Sequence, residues 1–121
     1  TPGIKSFLNT RENIELKEFR RDIILARNSA IIENCTYNLY LFPTENRYRI
    51  DKVSGGTTII KDVYFSNGIV MGKNNFKNSV SFYSTGAPSQ GGTIILTNSK
   101  NDKIEITIEV ATGKVKLYFN R

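Results

Sequence analysis

Chemistry in a chain of 121 residues must come from a few side chains at workable spacing, and this sequence offers four sets to test. The first is the loop Gly86-Ala87-Pro88-Ser89-Gln90-Gly91-Gly92-Thr93. Its glycines are spaced as in the phosphate-cradling pattern Gly-x-x-x-x-Gly-Lys-Ser/Thr. Gly92, however, stands where that pattern needs lysine, and Ile94-Ile95-Leu96 reads as a strand rather than the helix whose N-terminus would hold an anion. The loop is therefore read as structural. The second set is the carboxylates. With histidine absent, the commonest base for a Ser or Cys nucleophile is missing. Most acids fall on the polar side of a predicted helix or, like Glu105 and Glu109, on the wet side of a strand, and they read as solvated surface acids. Asp102 sits between Lys100 and Lys103 without the spacing of a calcium loop. The third set is Cys35 alone, which excludes an intrachain disulfide and a cysteine-clustered zinc site and reads as a small buried hydrophobe. Asn34-Cys35-Thr36 matches a glycosylation triplet that is common by chance and is given no role. No catalytic, cofactor-binding or metal-binding residue is assigned. The fourth set is basic: Lys114 and Lys116 lie two apart on a strand and point the same way, Tyr118 continues that face, and Arg121 follows. Such a ridge could track a phosphate backbone and stack a base. It also fits a solvated edge strand whose lysines block aggregation.

The elements that must position these residues are legible from periodicity. From about residue 6 to 33, Leu16, Phe19, Ile23, Ala26 and Ala30 recur at spacings of three and four, which predicts one long amphipathic helix with these residues as its packing face. Arg11, Glu12, Glu15, Lys17, Glu18, Arg20, Arg21 and Asp22 are read as the solvated side. Like-charged neighbours such as Glu18 and Asp22 do little for such a helix in isolation, so it should depend on docking its stripe. From about residue 36 to the end, the period changes to two. Tyr37, Leu39 and Leu41 alternate with polar or aromatic residues, then Pro43-Thr44-Glu45-Asn46 turns the chain into a partner strand over 47–53. Further strands are expected near 57–65, 69–71, 80–84, 93–97, 103–111 and 114–119. Ile104, Ile106, Ile108 and Val110 are expected on one face, and Val115, Leu117 and Phe119 on one face of the last strand. One helix followed by many short-turn strands predicts an α+β fold in a single domain, with two small antiparallel sheets and the helix on one of them.

Composition narrows the class. Apolar residues make up 39% and charged residues 23%, as in a folded globular domain. The net charge of +6 is spread evenly along the chain, so it argues only weakly for nucleic acid. No apolar run approaches the ~20 residues that span a bilayer. The start Thr1-Pro2-Gly3, without Met, suggests a processed or truncated chain with something removed upstream.

Taken in order, Phe82, Gly86, Pro88, Gly91-Gly92-Thr93-Ile94, Leu96, Ile108, Val110, Thr112-Gly113 and Val115, with Ala26-Arg27-Asn28-Ser29-Ala30-Ile31 upstream, make the sequence resemble the GspH/FimT group of minor pilins and pseudopilins. The resemblance covers about residues 16–121. It implies a non-catalytic subunit of a type IV filament or type II secretion pseudopilus, without cofactor or small-molecule substrate, whose partners are other pilin or pseudopilin subunits. It also implies a leader removed by a prepilin peptidase and an apolar helical half, missing here, that anchors the subunit in the cytoplasmic membrane before it joins a filament at the cell surface. Some members are linked to DNA uptake in competence through basic residues of the last hairpin. Lys114 stands where the group commonly has Arg, which keeps the charge but loses bidentate phosphate geometry.

Overall fold

The computed structural model describes the backbone of residues 2–120 and the side chains of residues 11–119, so Arg121 of the basic set lies outside the described residues. A single helix, α1 (Pro2–Glu33), precedes eight strands: β1 (Thr36–Phe42), β2 (Arg47–Val53), β3 (Thr57–Tyr64), β4 (Val70–Asn74), β5 (Ser79–Phe82), β6 (Gly92–Thr97), β7 (Lys103–Ile108) and β8 (Val115–Asn120). The helix begins earlier than the apolar periodicity predicts. Proline is well suited to a first helical position, since its missing N–H is unpaired there anyway and its φ is already helical.

The sequence also contains the helix stop. Asn34 adopts a left-handed φ of 53°, Asn34 N–H reaches Ile31 O at 3.4 Å, and Cys35 N–H reaches Ala30 O at 3.1 Å. These are the paired bonds of a Schellman ending, and Asn tolerates the left-handed position better than most residues other than Gly.

The strands form two antiparallel sheets, ordered β3-β2-β1-β5 and β4-β6-β7-β8. In the first, Leu39 pairs with Ile50 and Leu41 with Tyr48, so the apolar alternation of both strands faces the same way. In the second, Ile94 pairs with Ile106, and Ile106 with Leu117. Leu16, Phe19, Ile23, Ala26 and Ala30 are each no more than 2% exposed, and their stripe packs on β1, β5 and β8, so the helix touches both sheets rather than one. Phe19 meets Tyr48 at 4.5 Å and Phe65 at 5.3 Å between ring centroids. Each such large apolar side chain contributes about 1.5–3 kcal/mol by leaving water. Cys35 is half-buried against this core.

Two expected strand faces are corrected. β7 stops at Ile108, and Val110 is 69% exposed rather than sharing the face of Ile104, Ile106 and Ile108. The reason is a turn: Gly113 N–H bonds Glu109 O and Glu109 N–H bonds Lys114 O, which places Val110 at the tip. On β8, Val115 is buried, Leu117 is half-buried and Phe119 is exposed, because the strand runs out past the core.

Asn46 ties the sheets together. Its own φ is left-handed at 53°, its side-chain amide donates to Ile69 O at 2.9 Å, and its side-chain oxygen accepts from Met71 N–H at 2.7 Å. One residue in the β1–β2 turn therefore fixes where β4 of the second sheet begins.

Candidate functional site

The helix side read as solvated is where the structure departs furthest from expectation. Glu12, Glu15 and Asp22 are 4%, 7% and 4% exposed. Glu12 accepts from the Ser99 N–H at 2.7 Å and its hydroxyl at 3.1 Å, holding the β6–β7 turn. Glu15 accepts from Ser66 N–H at 2.8 Å and Asn67 N–H at 3.3 Å, holding the β3–β4 connection. Asp22 accepts from the Tyr48 hydroxyl and from Lys61 Nζ at 2.9 Å, holding β2 and β3. Buried carboxylates cost heavily unless they are fully bonded, and these are. They act as anchors from the helix to three separate parts of the β region rather than as an acid–base pair. A readable signal existed: Glu12, Glu15, Phe19, Asp22 and Ala26 follow one another at three or four residues, so the three acids ride the same face as the apolar stripe. Glu33 adds an exposed clasp, 2.6 Å from Lys52 Nζ. The Lys52 ammonium and then the Tyr37 hydroxyl hold the Glu33 carboxyl below its usual range.

The basic hairpin is partly spoken for. Lys116 Nζ pairs with Glu109 at 2.8 Å, which lowers the Glu109 carboxyl and raises the Lys116 ammonium relative to their ordinary values. Lys114 is exposed just before β8, and Tyr118 is half-exposed. Two helix arginines reach the same place: Arg27 Nε donates to Thr112 O at 2.8 Å, and Arg20 donates to Val115 O at 3.5 Å.

The sequence motifs converge on that contact. A Cβ on Gly86 would lie 2.8 Å from the Ile31 side chain, and one on Gly113 would lie 2.3 Å from the Gly86 carbonyl oxygen. Arg27, Ile31, Gly86 and Gly113, widely separated in sequence, thus form a single helix–loop–hairpin junction. Gly92 opens strand β6 and is backed by the Asn75 side chain, whose oxygen accepts from Thr93 N–H at 2.8 Å. The loop is filled by protein, which fits its structural reading. The model of a family described as "Type II transport protein GspH" matches residues 15–113. The chain belongs to the GspH family.

Solved structures agree on the fold. The minor pseudopilin EpsH from the type 2 secretion system of Vibrio cholerae superposes with a TM-score of 0.73 at 12% identity, covering 88% of this chain and 95% of that one. The type IV minor pilin FimU of Pseudomonas aeruginosa superposes at 0.70 and 11% identity, covering 98% and 92%. No curated protein sequence shows a significant match. The GspH family consists of structural subunits rather than enzymes, and this chain is one of them. One cleft of the GspH-family chain, about 470 Å³, is lined by Glu12, Leu16, Asn98, Lys100, Asp102 and Phe119 among others. Its acids are already engaged, Glu12 by Ser99 and Asp102 by the Asn98 amide at 3.1 Å. Among the described residues, no three Cys, Asp or Glu side chains group as metal ligands, and no helix is long and apolar enough to cross a membrane.

Proposed function

We propose that this GspH-family chain is a minor pilin or pseudopilin, built into a type IV filament or a type II secretion pseudopilus through its helix and displaying its sheets outward. The observation that carries this reading is the outer side of α1. Its inner face is sealed by the stripe and the carboxylate anchors, yet Ile14, Leu25 and Ile32 on the other side are 50%, 50% and 81% exposed. Spacings of eleven and seven residues keep these three on one line of the helix, as packing against a neighbouring helix requires. In this reading an apolar helical half anchors the subunit in the membrane before assembly, and the β region contacts other subunits. The test is fractionation of the native host carrying a tagged full-length gene product. The subunit should travel with filaments sheared from the surface, and a Leu25→Glu/Ile32→Glu form should be left in the membrane fraction. Equal recovery of both forms in the filament fraction would refute the helix role.

A second reading, DNA binding by the C-terminal hairpin, is favoured by one observation: Arg20 and Arg27 are drawn alongside Lys114, enlarging the basic set beyond Lys114, Lys116 and Arg121. The Glu109–Lys116 pair weakens it by engaging one of the cations. Duplex DNA anisotropy over a salt series decides. Lys114→Ala/Lys116→Ala should weaken binding and flatten the log–log salt slope by up to about 2, one for each lost phosphate contact. An unchanged slope and affinity would remove this reading.

A further inference from the structure

The β3–β4 connection carries the one Asn-Gly pair among the chain's thirteen asparagines, Asn67-Gly68. Asparagine is a thermolabile residue. The backbone nitrogen that follows it can attack its Cγ, and a side chain on that next residue obstructs the approach; glycine has none. Asn67 and Gly68 are both exposed and lie outside helix and strand. Among the described residues the Gly68 N–H donates no hydrogen bond, so its nitrogen is not committed to another partner. The Asn67 amide has one long tie, 3.5 Å to Glu15 Oε2. Other asparagines are held differently. Asn28 lies within α1 and Asn38 within β1. The Asn46 amide donates to Ile69 O at 2.9 Å, and the Asn98 side chain is bonded through both its nitrogen and its oxygen to Asp102.

We propose that Asn67 is a site of spontaneous deamidation, and that the change releases the β3–β4 connection from Glu15. The Gly68 nitrogen bonds to Asn67 Cγ, the Cγ–Nδ2 bond breaks, and the Gly68 N–H proton leaves with Nδ2 as ammonia. Water then opens the cyclic imide at either carbonyl. Opening at the backbone carbon gives isoaspartate, whose main chain runs through the former side chain; opening at Cγ gives ordinary aspartate. Both products put a carboxylate where an N–H donor faced Glu15. Glu15 is buried and holds the connection by accepting from Ser66 N–H at 2.8 Å and Asn67 N–H at 3.3 Å. A second negative charge beside it, away from bulk water, opposes that anchor. Isoaspartate also lengthens the backbone next to Gly68, which is tight against the second anchor: a Cβ there would lie 2.5 Å from Glu12 Oε2. The connection is flanked by buried Phe65 and Ile69, and Phe65 packs on Phe19 of the helix, so the disturbance reaches the core.

Peptide mapping by mass spectrometry tests the first half on the purified, folded chain held in warm, mildly alkaline buffer. Asn67 should convert ahead of every other asparagine, with isoaspartate among the products, and the thermal midpoint should fall as conversion proceeds. Asn67→Gln keeps the amide but resists ring closure, so its midpoint should hold through the same incubation. The second half is read without any ageing. Asn67→Asp should lower the midpoint by roughly 4–8 °C. In a Glu15→Gln background the same change should lower it by less than half as much, because the opposing charge is gone. The proposal is overturned if another asparagine converts first, if the converted chain melts like the fresh one, or if Asn67→Asp costs the same with Glu15 and with Gln at that position.

Discussion

Asp22→Ala is expected to destabilise the chain by about 3 kcal/mol, far more than an acid on a solvated helix face would. The carboxylate is buried and accepts from two donors that differ in their alternatives. Lys61 is about half-exposed and can turn to water. Tyr48 cannot: its ring is 1% exposed and packs between Phe19 and Phe65 at 4.5 Å and 5.5 Å between centroids. Burial, and then the Asp22 hydrogen bond, push the Tyr48 phenol well above its ordinary value, so it remains a protonated donor that needs an acceptor. Removing Asp22 leaves that hydroxyl orphaned beside a void. Tyr48→Phe removes the donor instead and leaves the carboxylate its lysine, so it should cost only about 1 kcal/mol. The double variant should be more stable than the sum of the singles predicts by about 1–2 kcal/mol, measurable by urea unfolding in a double-mutant cycle. Additivity within about 0.5 kcal/mol would show that the two residues do not work as a pair.

The anchors explain which parts of the molecule could be read from sequence. Periodicity reports the burial of side chains that are apolar, and it placed the stripe from Leu16 to Ala30 and the span of β1 from Thr36 to Phe42. It is blind to an acid that is buried because a distant donor is waiting. The partners of Glu15 lie 51 and 52 positions away and that of Glu12 lies 87 away, in turns whose position depends on the finished sheets. The same limit applies to Val110. Alternation carries the apolar pattern past Ile108, but the left-handed Ala111, with φ 71°, closes a turn that local pattern does not reveal. The first sheet's outer face is a further case. Tyr40, Phe42, Arg47 and Arg49 look like scattered polar-side residues until register aligns them. Family membership, by contrast, was legible because its motifs are junction residues. Arg27, Gly86 and Gly113 are restricted by what touches them, so their types and order carry information that a solvated surface does not.

That junction gives the second large effect. Gly113→Ala is expected to cost about 3 kcal/mol or more, for two separable reasons. Gly113 holds φ at +70°, where a side chain costs about 1–2 kcal/mol. Its added Cβ would also lie 2.3 Å from the Gly86 carbonyl oxygen and 3.0 Å from Arg27 Nε. A flexible side chain can move aside, but a backbone carbonyl cannot do so without shifting its loop. The hairpin tip must therefore back away from the loop at Gly86, and the 2.8 Å bond from Arg27 to Thr112 O is lost with it. Gly55 is the matching control, because its φ is +68° and nothing lies within 4 Å of its Cβ position. Gly55→Ala should show the conformational cost alone, about 1–2 kcal/mol. The excess in Gly113→Ala then measures how tightly helix, loop and hairpin close on one another. Equal losses in the two variants would mean that the junction yields freely, and that Arg27 does not hold the hairpin against the helix.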